Sequence, residues 1–125
     1  MATPKTYSTA KAFRRVISRE QQFAEKVHAY TVPRKTANSR VKDLVDMALL
    51  VGAGLDRERT RNALRITFER RGTHALPASL PEPPADWQRA FEPLAQECAL
   101  SSDIVGVFAS VQRFYQAVEA HDAPK

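Results

Sequence analysis

The chain has 125 residues, 43% of them apolar, which is enough for one domain with a hydrophobic core and excludes a disordered chain. Its formal net charge is +5, and the excess lies in residues 1–43, where ten basic residues stand against three acidic ones. A single cysteine excludes an intrachain disulfide, and no apolar run is long enough for a signal sequence or a membrane span, so we expect a cytoplasmic protein with no membrane partner.

The first predicted helix begins after Ser18 and ends before Pro33. Residues 1–12 are polar and small and are predicted to be a flexible lead-in, whereas residues 13–17 fit a short strand or the approach to a helix equally well. Ser18 is a typical N-cap, and Gln21 completes a capping box. The residue before a proline avoids the helical conformation, so the helix stops there. Three apolar residues recur at helical spacing: Phe23, Val27 and Tyr30.

A basic loop with Arg34 and Lys35 leads to the second predicted helix. Asn38 or Ser39 is expected to cap its start, and two glycines end it near Gly54. Its predicted apolar face is formed by Val41, Leu44, Val45, Ala48 and Leu49.

Two carboxylates lie off that apolar face. At about 100° per residue, Asp43 and Asp46 point about 200° and about 140° away from Val41. Met47 and Leu50 lie beside them, so an exposed apolar flank adjoins two acids. We therefore expect this flank to be covered by another helix or by a partner.

The third predicted helix follows Asp56 as its N-cap and ends before Gly72. Its predicted inward residues are Leu64, Ile66 and Phe68. Residues 72–86 contain four prolines, which exclude a helix interior and predict an extended connector.

Two more helices complete the predicted fold. The fourth begins near Pro84 to Asp86 and contains Pro93, which is expected to kink it; its apolar side is formed by Trp87, Phe91, Leu94, Ala95 and Cys98. Ser101 or Ser102 caps the fifth, whose inward residues are predicted to be Val105, Phe108, Val111, Phe114, Tyr115 and Val118. No strand alternation is present. The sequence predicts an all-α, irregular bundle of four to five helices over residues 13–121, with a tail at 122–125.

Lys26 is the candidate cation of this bundle. It lies about 60° from the apolar stripe of the first helix, and antiparallel packing of the first two helices places it near Asp43. The residues alone favour a plain Lys–Asp surface pair. The alternative is an ammonium held at a groove, where a point charge suits phosphate. The basic first third also fits a nucleic-acid or nucleotide partner, or simply a solvated basic tail.

Other catalytic chemistry has little support in the sequence. His28 and His74 lack partners at metal-ligand spacing and are predicted to be hydrogen-bonded structural histidines, and we predict no metal site. No GxSxG, Walker A or GxGxxG motif is present.

Three segments in one order resemble a known family: QFAEKVHAYT, NSRVKDLVDMALL and FERRGTHALPASLPEPPADW. They are similar to the C-terminal helical half of the AbiEii/AbiGii-type nucleotidyltransferase toxins of bacterial abortive-infection and toxin–antitoxin systems, over residues 14–118. The resemblance implies that Lys26 binds nucleotide phosphate, that Asp43 is the essential carboxylate, and that Asp46 is the second choice.

The resemblance also implies binding residues and partners. Arg40, Lys42, Arg34 and Lys35 would contact phosphates or RNA, with tRNA as a possible target. Such toxins combine this helical half with an α/β domain that has a Gly-Ser loop and a DxD pair for Mg²⁺ and a nucleoside triphosphate. This sequence has no such motif, since its one Asp/Glu pair at that spacing is in DRE at Asp56.

We therefore expect a chain that is inactive alone and needs a catalytic domain, or binds an antitoxin, in trans. Whether it is an excised part, a gene remnant or a natural subunit stays open. Two alternatives remain: a small nucleic-acid-binding module built on the second and third helices, and an interaction protein that docks or self-associates through the Met47 and Leu50 flank.

Overall fold

The computed structural model describes residues 17–33 and 37–121, without the side chains of residues 37–39 and 121. The predictions for the lead-in, for residues 13–16, for Arg34 and Lys35, and for the tail lie outside this part. The described residues form five α-helices, α1 (Arg19–Thr31), α2 (Ala37–Ala53), α3 (Arg57–Arg71), α4 (Gln88–Glu97) and α5 (Ile104–His121), with a 3₁₀ turn at Ala85–Trp87 and no strand. The predicted all-α bundle is confirmed.

Local sequence signals set both ends of α1. The Ser18 hydroxyl accepts a hydrogen bond from the Gln21 backbone N–H at 3.0 Å, as an N-cap does. A full capping box would add a hydrogen bond from the Ser18 N–H to the Gln21 side chain. Instead, the Gln21 side-chain amide donates to Thr67 on α3 at 2.8 Å. The helix ends at Thr31, two residues before Pro33, as predicted.

The caps of the later helices divide into confirmed and corrected predictions. Asp56 caps α3 by accepting from the Arg59 N–H at 2.8 Å, and Gly72 ends it with a left-handed φ of 59°. The predicted caps at Asn38 and Ser39 are wrong, since α2 already begins at Ala37.

The start of α5 also differs from the prediction. This helix begins at Ile104, so neither Ser101 nor Ser102 is its cap. The Asp103 carboxylate takes that role and accepts from the Val105 N–H at 3.2 Å. The Ser101 hydroxyl supports this turn by accepting from the Asp103 N–H at 3.2 Å.

One hydrophobic core joins all five helices. α1 packs against α2 and α3, while α5 packs against α2, α3 and α4. The largest side chains that are fully or almost fully buried are Phe23, Tyr30, Leu44, Met47, Leu64, Phe91 and Tyr115.

Four apolar residues lie on the opposite side from the one predicted. Met47 is fully buried, whereas Leu49, Ile66 and Val105 are 38%, 52% and 71% exposed. α2 touches α1 on one flank and α4 and α5 on another, so its buried arc is wider than a single stripe and is rotated toward Met47. Leu50 is half-buried and packs on the core, so the chain's own helices cover the flank of Met47 and Leu50, as the first of the two expected alternatives had it, and the alternative of an exposed docking flank is wrong.

The proline-rich connector is fastened to the bundle by polar contacts. The Gln112 side chain on α5 pairs with the backbone of Leu80, accepting from its N–H and donating to its carbonyl, each at 2.9 Å. The Tyr30 hydroxyl donates to the Pro81 carbonyl at 2.9 Å. The extended connector predicted from the prolines is therefore held at fixed points and joins the helices into one unit.

Candidate functional site

Lys26 and the two aspartates meet where α1 and α2 run antiparallel. At one end of this helix pair, the Arg40 guanidinium donates to the Val32 carbonyl at 2.5 Å. At the other end, Arg19 donates to the Ala53 carbonyl at 3.4 Å. Between these two points, residue 26 faces the middle of α2. The proximity that was predicted between Lys26 and Asp43 is thus a consequence of the helix pairing.

The Lys26 ammonium contacts both carboxylates. Its Nζ lies 2.8 Å from Asp46 Oδ2 and 3.6 Å from Asp43 Oδ1. The hydrogen bond that Lys26 donates to Asp46 raises the pKa of Lys26, partial burial opposes this, and the two negative charges add to the increase. Lys26 is therefore a fixed cation at physiological pH.

The two aspartates differ strongly in burial. The Asp46 side chain is 43% exposed and makes the short contact, whereas the Asp43 side chain is 9% exposed and lies behind the ammonium. The helical angles measured from Val41 predicted that Asp43 lies farther from the core than Asp46. In the structure Asp43 is the more buried of the two. The cause is the rotated buried face of α2 described above.

A groove of about 500 Å³ opens beside this cluster. Lys26, Asp46, Glu25 and Gln22 supply its polar wall, while Ile17, Leu49 and Leu50 supply its apolar wall. Ile17 is 36% exposed and Leu49 is 38% exposed, and both belong to the small set of large apolar residues that are exposed among the described residues. An ammonium beside a solvent-accessible apolar wall is an arrangement that binds a ligand with both a charged and an apolar part.

The remaining predicted binding residues do not line this groove. Arg40 is half-buried and closes the junction of α1 and α2 through its contact with Val32, and Lys42 is exposed to solvent on α2. Arg34 and Lys35 lie outside the described residues. The structure therefore brings together Lys26, Asp43 and Asp46.

Sequence reasoning missed the neighbours of Lys26. Glu25 lines the groove and pairs with Arg71 of α3 at 2.7 Å. Burial raises the pKa of Glu25, but hydrogen bonds from Arg71 and Gln21 and the charge of Arg71 outweigh it and lower the pKa. Since residues 25 and 71 are far apart in sequence, no local pattern could have predicted this pair.

The two histidines form a separate structural cluster. The His28 Nε2 lies 2.9 Å from the Thr73 hydroxyl, and the His74 Nε2 lies 2.7 Å from the Thr31 hydroxyl. Their ring centroids are 4.8 Å apart, and each ring meets the edge of Phe68. This agrees with the prediction of hydrogen-bonded structural histidines.

A comparison with known protein families shows to which family the chain belongs. A family model described as "Nucleotidyl transferase AbiEii toxin, Type IV TA system" matches residues 3–119. The chain belongs to the AbiEii toxin family. This confirms the resemblance seen in the sequence and extends it toward the start of the chain. No curated protein and no solved structure matches.

Membership of the AbiEii family relates the chain to the nucleotidyltransferase toxins of type IV toxin–antitoxin systems. The match covers all five helices of the described part and therefore includes the groove and its Lys26 cluster. Within that part, no helix is long and apolar enough to cross a bilayer.

Proposed function

We propose that this chain is the helical part of an AbiEii-type nucleotidyltransferase toxin and that Lys26 binds a nucleotide phosphate in the groove between α1 and α2. The observation that carries this proposal is the Lys26 ammonium, which is partly exposed, held between two carboxylates and open to a groove with an apolar wall. Nucleotidyl transfer depends mainly on positioning and on neutralisation of phosphate charge, and an oriented ammonium supplies both.

Asp46 and Asp43 have different roles in this proposal. Asp46 is exposed and forms the short contact, so an incoming phosphate competes with it for the Lys26 ammonium. Asp43 is buried at 6% exposure, so it remains behind the ammonium and orients it toward the groove. The family resemblance makes Asp43 the essential carboxylate, and its buried position suits a residue that acts through Lys26.

The carboxylates of this groove do not by themselves fit a magnesium ion. Both contact the Lys26 ammonium, which supplies the positive charge there, and the described residues contain no group of three or more His, Cys, Asp or Glu side chains placed to hold a metal. Transfer from a Mg²⁺-bound nucleoside triphosphate would thus require carboxylates from a catalytic domain with a Gly-Ser loop and a DxD pair. We propose that this domain completes the cleft and that the described helices alone do not catalyse transfer.

We propose two further partners, an antitoxin and RNA. An antitoxin is the expected regulatory partner of a type IV toxin. RNA, including tRNA, is the proposed acceptor of the nucleotide, with Arg40, Lys42, Arg34 and Lys35 as candidate contacts from the basic first third. The half-buried position of Arg40 makes Lys42 the better candidate of the two described residues.

Nucleotide binding by the chain tests the proposal. Isothermal titration with nucleoside triphosphates and with inorganic triphosphate, with and without Mg²⁺, measures the affinity of the wild type and of Lys26→Gln. Loss of one charge-assisted hydrogen bond costs about 1.5–3 kcal/mol, or roughly a ten- to hundredfold loss of affinity. Arg89→Gln, an exposed arginine on α4 away from the groove, is the control for net charge.

Asp46→Asn distinguishes a phosphate site from a plain surface ion pair. Removing the competing carboxylate frees the Lys26 ammonium, so affinity should rise by roughly two- to fivefold, the worth of an exposed pair. If Lys26→Gln and Arg89→Gln bind triphosphate equally well, the proposed phosphate site is wrong. Transferase activity of the isolated chain on tRNA would contradict the proposal that another domain is needed.

A further inference from the structure

α3 carries an unusual concentration of positive charge. Six arginines and two glutamates occupy its 15 residues, a net charge of +4 in a chain whose total is +5. The arginines are Arg57, Arg59, Arg61, Arg65, Arg70 and Arg71. All of them except the half-buried Arg61 are exposed to solvent.

The arginines in the first two thirds of α3 work against the stability of the helix itself. Arg57 and Arg59 occupy the first turn, where the helix dipole favours acidic side chains. Arg57, Arg61 and Arg65 follow one another at intervals of four residues, so like charges are neighbours along one row, which destabilises a helix. Arg70 and Arg71 lie in the last turn, where the dipole favours basic side chains, so helix stability accounts for these two but not for the arginines before them.

Intramolecular pairing accounts for only part of the charge. Arg71 pairs with Glu25 at 2.7 Å, and Arg65 donates to Asn62 at 3.0 Å. Within the described part of the chain, the side chains of Arg57, Arg59 and Arg70 make no hydrogen bond or ion pair. Arg70 lies near enough to Glu25 to help lower the pKa of that carboxylate but forms no direct ion pair with it, so all three exposed guanidinium groups can contact an external anion.

We propose that the exposed arginine face of α3 binds the phosphodiester backbone of RNA. Arginine presents a planar fork that matches two phosphate oxygens and also stacks on bases. Arg59 and Arg70 lie on one side of the helix, about 16 Å apart along its axis, a distance that spans several nucleotides. The inference rests on the proposed function to the extent that this RNA is the acceptor of the transferred nucleotide.

The position of α3 connects this face to the groove. Arg71, at the end of the helix, contacts Glu25, which lines the groove beside Lys26. An RNA bound along α3 therefore reaches the nucleotide site at the end of the helix that carries Arg70 and Arg71.

An acidic protein fits this face less well than RNA does. Stable protein interfaces have an apolar centre, and the outward side of α3 offers one large apolar side chain, Ile66, at 52% exposure. The surface is otherwise charged or polar. Binding to it should be mainly electrostatic and strongly dependent on salt.

Fluorescence anisotropy with a labelled RNA hairpin, titrated at several salt concentrations, tests the inference on the full chain. The variant Arg59→Gln/Arg70→Gln removes two unpaired arginines from α3, and Arg89→Gln/Arg113→Gln removes the same charge from α4 and α5. Losing two phosphate contacts should reduce the slope of log K against log salt by about 1.4–1.8. At about 0.15 M salt this corresponds to a roughly fifteen- to thirtyfold loss of affinity, while the control pair should retain wild-type binding.

Several outcomes overturn the inference. Equal losses for the two double variants would show that net charge alone attracts RNA. Unchanged binding in the α3 variant would show that the helix does not contact it, and polyglutamate competing as well as RNA would favour an acidic protein partner. Lys26→Gln should retain RNA binding but lose triphosphate binding, so failure of the nucleotide site and failure of the RNA face are distinguishable. A circular-dichroism melt of each variant verifies that the fold is intact.

Discussion

Met47 provides a sharp test of how the bundle is built. The sequence placed this residue on an outer flank of α2 that either another helix or a partner covers, and under the docking alternative its truncation would disturb a complex but not the fold. The structure buries it completely in the core. Met47→Ala should therefore remove a full set of core contacts and leave a cavity.

The size of the effect follows from this burial. Truncation of a fully buried methionine to alanine costs about 2–5 kcal/mol. For a chain of 125 residues each 1 kcal/mol lowers the melting temperature by about 4 °C, so a decrease of roughly 8–20 °C is expected. Leu49→Ala is the matched control on the same helix, because Leu49 is 38% exposed and should cost about 1 kcal/mol or less.

Thermal and urea denaturation followed by circular dichroism measures both variants, and light scattering after gel filtration measures their mass. A large loss of stability for Met47→Ala alone supports the buried position. If both variants melt together and Met47→Ala only changes the mass of an assembly, the rotated core face of α2 is wrong and the docking flank is right.

Three further predictions use local features of the fold. Gly72→Ala should destabilise the chain by about 1 kcal/mol because φ is +59° there, whereas Gly52→Ala, in a helix with open space around it, should stabilise it by up to about 1 kcal/mol; urea titration measures both. Burial and the nearby positive charges lower the pKa of His28 from 6.5. This residue therefore contributes stability above pH 6.5 that is lost as the pH falls through its lower folded pKa. His28→Gln should flatten the dependence of melting temperature on pH in that window, and an unchanged slope would contradict this. The Tyr115 hydroxyl donates to the Pro77 carbonyl in the connector, so Tyr115→Phe should cost about 0.5–1.5 kcal/mol, and a variant as stable as the wild type would show that this contact contributes nothing.

Much of the fold is determined by signals that act within a few residues. The Ser18 and Asp56 caps and the Gly72 stop act within a few residues, and each is present as predicted. The four prolines of the connector likewise exclude a helix there whatever the rest of the chain does. The predicted division into residues 13–121 and two flanking tails stays a prediction.

The candidate site was predictable only in part. Helical spacing and the short connection between α1 and α2 sufficed to bring Lys26 near Asp43. They did not show that Asp46 makes the closer contact, that Asp43 is the buried member, or that Ile17 and Leu49 line the groove. Those features depend on which face of α2 its neighbours cover.

The sequence by itself determined the helices, the caps of α1 and α3 and the family, because caps, breakers and motif order are local properties of the chain. The tertiary structure decided which helix faces are covered. α2 packs against three other helices, and a single apolar stripe in its sequence could not predict all of those contacts. It also decided the position of α3, whose Arg71 contacts Glu25 across 46 residues of sequence. Periodicity fixes the angles of side chains around one helix, but only packing chooses which of those angles face water.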